Sequence, residues 1–270
     1  MAESEHGIVL EEIEGAAVLR LDRPQVLNAI DQRMRDEWIR LLQRIEADRE
    51  RYRAVVVTGT GRAFCSGGDV TEQDDYMRPT AHHGWHGQQA YQEIARLMRE
   101  LSMPVITAVN GIALGGGMAV ALMADFLIAA EDAEFGVGQV VRGFIPDVGL
   151  TYLLPRLLGP SRALQMMLFY ERVSARQAQE LGFVNWVVPN GEVMEKAREV
   201  VEMIARAPAP TVEWAKRLSY ASLDNSFEGA LKLESMAQGI LSDSPAFEQA
   251  LADFRGGGRE GALAKRDGDG

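Results

Sequence analysis

The 270-residue sequence holds one cysteine, Cys65, which excludes an intramolecular disulfide framework and suits a reducing compartment. It also lacks a long apolar run. The longest, residues 112–124, is too short and too rich in glycine to span a bilayer. The opening residues, MAESEHG, are acidic and polar, without the basic start and apolar stretch of a signal peptide, so a cytoplasmic location is expected. Positive charge is in deficit: 28 Lys and Arg face 39 Asp and Glu, and the formal net charge of -11 argues against nonspecific nucleic-acid binding. Arginines cluster between residues 33 and 53, but acidic residues interrupt them. No solenoid-type repeat is present. His82, His83 and His86 lie close together, yet they lack the glutamate of HExxH and have no cysteine nearby, so no metal is expected.

What the chain does have is glycine in two telling places. An apolar run, Val105 to Val109, reads as a buried strand and leads through Asn110-Gly111 to Gly115-Gly116-Gly117, after which residues 118–123 are good helix formers. Such a strand–glycine–helix passage leaves backbone N–H groups unpaired. The loop has no Lys or Arg and no GxxxxGK[ST] pattern, so it resembles a cradle for an oxyanion more than one for a nucleotide. The competing reading is a tight turn that lets a helix pack closely on a sheet. A second passage repeats the pattern: residues 54–58, AVVVT, read as a buried strand and run into Ser66-Gly67-Gly68-Asp69. Two such loops meet at the carboxyl ends of parallel strands, where open α/β folds bind ligands. Two N–H groups converging from separate loops can hold one carbonyl oxygen as it gains charge.

The remaining order is α/β. Residues 8–13 and 16–21 read as a strand pair across Glu14-Gly15. Asp31 caps a helix whose apolar face is Met34, Trp38, Leu41, Leu42 and Ile45. Residues 71–87 read as a polar loop. A helical face follows at Tyr91, Ile94, Leu97, Met98 and Leu101, and a strand at 125–130. Beyond residue 159 the pattern is mostly helical, over 161–170, 175–181, 192–206, 211–223 and 227–241, with a short strand at 183–188. The domain reading is a core over 1–200, a helical region over 201–255 serving oligomerisation, and a flexible tail over 256–270.

An ordered string of motifs resembles the crotonase (enoyl-CoA hydratase/isomerase) superfamily: LDRPQVLNAID at 21–31, GRAFCSGGD at 61–69, NGIALGGG at 110–117, and FGVGQVVRGFIPDVGLTYLLPRLLG at 135–159. The resemblance continues through Ser174, Ala175, Ala178 and residues 181–184. It implies a spiral of repeated ββα units with a helical C-terminal region, homotrimers or hexamers built as dimers of trimers, and an acyl-CoA thioester as substrate, with no cofactor beyond its CoA moiety. By motif position, the thioester oxygen would lie between the backbone N–H groups of Gly68 and Gly116. Gln25, Val26 and Ala29 would line the CoA arm; Ala63, Ser66, Gly68, Asp69 and Val70 would contact its adenine and pantetheine parts. Leu114, Gly115 and Gln139 would also contact the substrate. Arg23 is the candidate phosphate partner, or else an ordinary surface arginine. Trp85 and Tyr91 would line the acyl pocket under a lid formed by the histidine segment, or belong to the core.

The chain departs from the hydratase pattern where the chemistry is done. The resemblance assigns one water-activating glutamate to position 119 and another to position 139; here these are Ala119 and Gln139. Alanine cannot move a proton, and glutamine is not a useful acid or base near neutral pH. One carboxylate remains, Asp147 in Ile145-Pro146-Asp147-Val148-Gly149. This IPDxG form resembles the branch with Δ3,Δ2-enoyl-CoA isomerases and ring-opening isomerases, in which the aspartate is the base. Shifting a double bond needs only one such group, and apolar neighbours (Ile145, Val148 and Leu150) would raise its pKa. The competing reading makes Asp147 the N-cap of a helix over 148–154. An unusual enoyl-CoA hydratase and a silent acyl-CoA binder are the alternatives. Glu72, Asp74 and Asp75 read as solvated, with one of them within possible reach of a ligand.

Overall fold

The computed structural model describes residues 6–69, 71 and 81–256; for 81–87 and 253 the description covers the backbone alone. The expectations for Val70, for Glu72, Asp74 and Asp75, for the side chains of His82, His83, Trp85 and His86, and for the tail over 257–270 therefore lie outside the described residues. The chain divides into two units, one ending at Met203 and the other beginning at Ile204.

The first unit is a spiral whose turns alternate between two sheets. Strands β1 (Ile8–Ile13) and β2 (Ala16–Leu21) form the expected antiparallel hairpin. From there each turn places a long strand in one sheet and a short one in the other. β3 (Ala54–Gly59) is followed by β4 (Ala63–Cys65), β5 (Val105–Val109) by β6 (Ile112–Leu114), and β7 (Phe126–Ala130) by β8 (Glu134–Gly136). The larger sheet runs β1-β2-β3-β5-β7-β10, with β10 at Trp186–Val188; the smaller runs β4-β6-β8-β9, with β9 at Arg172–Ser174. Among the described residues, only the outer pairs β1–β2 and β8–β9 are antiparallel. Every residue of β3 and β5 is buried, as unbroken apolar runs require of strands covered on both faces.

Helices fill the crossovers. Asp31 caps α1 (Gln32–Ala47) by accepting the Met34 N–H at 2.8 Å, and the buried face is the predicted one with Arg35 added. α2 (Ala81–Glu100) begins within the segment expected to be a loop. Its glycines and histidines are poor helix formers, and tertiary packing of the 88–101 face decides the matter. α3 (Gly116–Leu122) starts two residues earlier than predicted, because Gly115, at φ 54°, turns the chain into it. The strand expected over 183–188 shrinks to β10, and that over 125–130 starts at Phe126. Asp125 instead accepts the Val105 N–H at 2.7 Å and locks the start of β5. α4 (Leu150–Leu158), α5 (Pro160–Phe169) and α6 (Ala175–Glu180) follow, and α7 (Val193–Ala205) closes the unit, its last two residues falling past the division.

The second unit holds α8 (Ala209–Ala221), α9 (Phe227–Ser242) and α10 (Pro245–Gly256). α10 carries helix into the first residue of the expected tail. No described helix is long and apolar enough to cross a membrane.

One buried polar residue organises the chain around the first glycine loop. Asn28 is fully buried, with φ 56°. Its Nδ2 donates to the carbonyls of Thr60 (3.0 Å) and Ala63 (2.8 Å), and its Oδ1 accepts the Arg23 N–H at 2.9 Å. Asparagine tolerates the left-handed conformation better than other non-glycine residues. Asn28→Ala should therefore cost about 3 kcal/mol, from three lost bonds and a left-handed alanine. Urea unfolding reads this directly; an unchanged midpoint would rule out the hub.

Candidate functional site

Gly68 and Gly116 come together because two loops abut backbone to backbone. After β4 the first loop pairs with residues 27–30. Ser66 N–H donates to Leu27 O (3.0 Å), Ile30 N–H to Gly67 O (2.8 Å), and Asp69 N–H to Ile30 O (3.0 Å). That alternation turns the Gly68 N–H to the other side. In the second loop, Gly115 N–H donates to Gly136 O at 2.8 Å, and Gly116 opens α3. The N–H groups of Gly68 and Gly116 have no acceptor among the described residues. Their closeness shows in the space available: a Cβ on Gly116 would stand 3.6 Å from Gly68 N, and one on Gly67 would stand 3.2 Å from Gly116 N. Gly67 is itself at φ 101°, so that close approach needs glycine. Two free donors, side by side on short rigid passages, match what a developing oxyanion needs.

Asp147 lies one amide away. Gln139 Nε2 donates to its Oδ1 at 3.2 Å, and the same Gln139 amide lies 3.7–3.8 Å from where a Cβ on Gly115 would be. Burial raises the Asp147 pKa above the ordinary aspartate value, and the Gln139 amide, Gln88 on α2 and the residue's own backbone N–H only partly oppose it. Ile145 does not contribute to that burial as expected; it is 75% exposed, whereas Val148 and Leu150 are buried. Nor is Asp147 a helix cap. α4 is capped by Gly149 without a side-chain bond, because Val148 (φ 50°) and Gly149 (φ 84°) carry the chain through left-handed conformations first. A β-branched residue at positive φ is strained, and here the strain sits beside the half-buried carboxyl.

The positions expected to lack acid–base groups do lack them: Ala119 is fully buried within α3, and Gln139 is half-buried. Among the CoA-arm candidates, Gln25 and Val26 are exposed and Ala29 is buried. Ser66 Oγ is directed at Val26 O at 3.4 Å, and Ala63 is held through its carbonyl by Asn28. Leu114 ends β6, against Gly136. Arg23 departs from its expected role. Its guanidinium donates to Ala29 O (2.6 Å) and Asp69 Oδ2 (3.0 Å) and pairs with Asp31 at 3.3 Å. It is therefore neither a surface arginine nor an unmatched cation for phosphate; it clamps residues 23–31 to the first glycine loop. Asp69 completes that clamp. Burial would raise its pKa, but bonds from Thr71 and Arg23 outweigh this and hold it below the usual value.

Cys65 is buried, its thiol pushed up to about 12 by desolvation, in keeping with a packing role. Tyr91 donates to Ile30 O at 3.1 Å and accepts from Arg35 at 3.3 Å, so it belongs to the floor beside the first loop. Tyr152 stacks under the Arg156 guanidinium at 3.5 Å, a packing contact. Sequence reasoning missed Gln88 and Asn28. An asparagine, a residue type suited to turns and left-handed backbone, between Leu27 and Ala29 is a signal that could have found Asn28; nothing local marks Gln88. No cluster of metal-ligating side chains occurs among the described residues.

Comparison with known proteins agrees with this geometry. A family profile described as enoyl-CoA hydratase/isomerase matches residues 11–256. A probable enoyl-CoA hydratase of Rhodobacter capsulatus is 36% identical over 251 residues, covering 93% of this chain and 95% of the relative. The 1,2-epoxyphenylacetyl-CoA isomerase of Escherichia coli K12 is 32% identical over 248 residues, covering 91% and 94%. The crystal structure of an enoyl-CoA hydratase from Bacillus anthracis superposes with a TM-score of 0.87 at 30% identity, covering 93% of this chain and 96% of that one.

Proposed function

Because the chain belongs to the enoyl-CoA hydratase/isomerase family of the crotonase superfamily, we propose that it is an acyl-CoA isomerase that moves a carbon–carbon double bond. It is an enzyme of that family; the choice of isomerisation over hydration is our reading. One observation carries it. The half-buried carboxyl of Asp147 stands one amide from the paired glycine loops, while positions 119 and 139 hold alanine and glutamine.

In this reading the thioester oxygen accepts from the Gly68 and Gly116 N–H groups. Asp147 takes a proton from C2 of a 3-enoyl thioester. The C–H electron pair moves into a dienolate whose negative charge rests on that oxygen. The proton returns to C4, and the double bond ends between C2 and C3. Each donor contributes about 3 kcal/mol to a charged transition state. The raised pKa brings Asp147 nearer to that of an effective base. The reaction balances with no redox or metal partner, so we propose no cofactor beyond the CoA moiety.

A hydratase is the second reading, favoured by the name of the Rhodobacter capsulatus relative. A silent acyl-CoA binder is the third, since free glycine-loop donors serve binding as well as catalysis. Turnover of 3-enoyl- and 2-enoyl-CoA in D2O, followed by mass spectrometry, separates the three. Double-bond migration with deuterium at C2 or C4 supports the isomerase; added water as the main product would overturn it; binding without turnover would leave the binder.

We also propose that the chain works as a homotrimer or a dimer of trimers. On α9, Phe227 (78% exposed), Met236 (64%) and Ile240 (56%) leave an apolar surface larger than a lone helix needs to show water. Light scattering should give three or six times the 29.7 kDa chain mass, and a monomer at micromolar concentration would refute the proposal.

A further inference from the structure

Two glutamine amides attend the Asp147 carboxyl. Gln139 Nε2 donates to its Oδ1 at 3.2 Å, and Gln88 on α2 favours its charged form. The carbonyl ends of both amides, Gln139 Oε1 and Gln88 Oε1, are buried without a hydrogen-bond partner among the described residues. Buried acceptors without donors are rare, because each loses its hydration for nothing in return. Two such atoms on the two side chains that bond one carboxyl point to that carboxyl as the place where a donor appears.

The donor appears in the reaction itself. An ionised Asp147 only accepts, and two amide NH2 groups serve it. Once it holds a proton it also donates, and its O–H needs an acceptor. The terminal torsion of a glutamine is broad and roughly twofold, so half a turn exchanges Nε2 and Oε1. No other titratable group described nearby competes. The Tyr91 hydroxyl is committed to Ile30 O and Arg35. Tyr91 and Cys65 are both pushed up to about 12 by burial, hence neutral at working pH. Arg35 meets the Tyr91 hydroxyl and ring.

We propose that Gln139, with Gln88 beside it, is a positioning residue that serves Asp147 in both protonation states, donating to the carboxylate and, with its amide turned, accepting from the acid. The inference rests on the reading of Asp147 as the base. It explains why an amide suits position 139. An amide can hold the carboxyl in either state but cannot take the proton, so the proton has only the substrate to return to. A glutamate there would offer a second base, able to activate water.

Gln139→Met keeps the length and removes donor and acceptor together; Gln88→Met and the double variant follow. The full chain, labelled at aspartate 13Cγ, gives the Asp147 titration by NMR, with Asp147→Asn assigning the signal. Charge-assisted bonds are the stronger kind, so losing the bond to the carboxylate dominates and the midpoint should rise by about one to two pH units. The acid limb of deuterium exchange into 2-enoyl-CoA should rise with it. The high-pH plateau of kcat should fall about tenfold while KM stays within about twofold, because the acid formed in turnover has lost its acceptor. A midpoint and plateau unchanged in Gln139→Met and in the double variant would overturn the inference. Exchange indifferent to Asp147→Asn would instead defeat the isomerase reading, and the NMR midpoint would still decide whether the glutamines govern the carboxyl.

Discussion

On the proposed isomerase mechanism, Asp147→Asn should lower double-bond migration by about a thousandfold and raise stability at neutral pH. The first effect follows from general-base catalysis, which supplies about 10²–10⁴ in rate, here with no second carboxylate to take over. Ala119 and Gln139 hold the two positions to which the resemblance assigns the glutamates of a hydratase. Binding survives, since the glycine donors are backbone, so kcat falls far more than affinity. The second effect follows from linkage. Burial raises the Asp147 pKa in the folded chain, so between the unfolded and folded values the native state binds more protons than the unfolded one. Stability from this group is therefore fully present below the unfolded value and is lost as pH rises through the folded value. Asparagine has the same shape and no charge. Its advantage is absent at acid pH and grows as pH rises through the folded value toward neutrality. Thermal melts at acid and neutral pH check the sign. A variant that loses stability at neutral pH, or keeps wild-type exchange, contradicts the assignment.

Much of this was legible from local pattern, and the parts that were not share a cause. The strands β3 and β5 announce themselves as unbroken apolar runs, and α1 by Asp31 and its apolar spacing, because those signals are set within a few residues. The convergence of Gly68 and Gly116 was inferred from two strand–glycine passages and a resemblance. Its physical basis, Gly67 against Gly116 and Gly117 against Cys65, is a contact about fifty residues apart in sequence that no window contains. Arg23 misled for the same reason. A lone arginine looks free until Asp31 and Asp69 are folded against it. The short strands β4, β6 and β8 carry three residues each, too few for periodicity, and exist only as the second sheet of the spiral. Between cap and base, the left-handed Val148-Gly149 step rules out the cap, and the base remains the proposal. Sequence marks the chemistry by what positions 119 and 139 cannot do; structure marks it by where the remaining carboxyl goes.

Gly117→Ala should be the most damaging single methyl in the chain. An ideal Cβ on Gly117 would stand 2.2 Å from Cys65 O, 2.7 Å from Cys65 C and 2.8 Å from Cys65 Cβ. Those atoms belong to the end of β4, whose pairing with β6 and place under α3 leave no flexible side chain to swing away. The backbone must part by about an ångström, and overpacking of that kind costs about 1–3 kcal/mol or more. The larger consequence is functional. Gly116, next to Gly117, and Gly68, three residues after Cys65, are the two proposed oxyanion donors, so the added methyl pushes them apart. Misplacing one donor by an ångström forfeits about 10²–10³ in kcat. Gly111→Ala provides the comparison. Its Cβ would meet Arg62 O at 2.2 Å, an equal clash at the start of the same two strands, away from the donors. Both variants should melt at lower temperature, and only Gly117→Ala should lose activity out of proportion to its loss of stability. Equal residual activity in the two, compared at matched folded fraction, would show that the spacing of Gly68 and Gly116 does not set the rate.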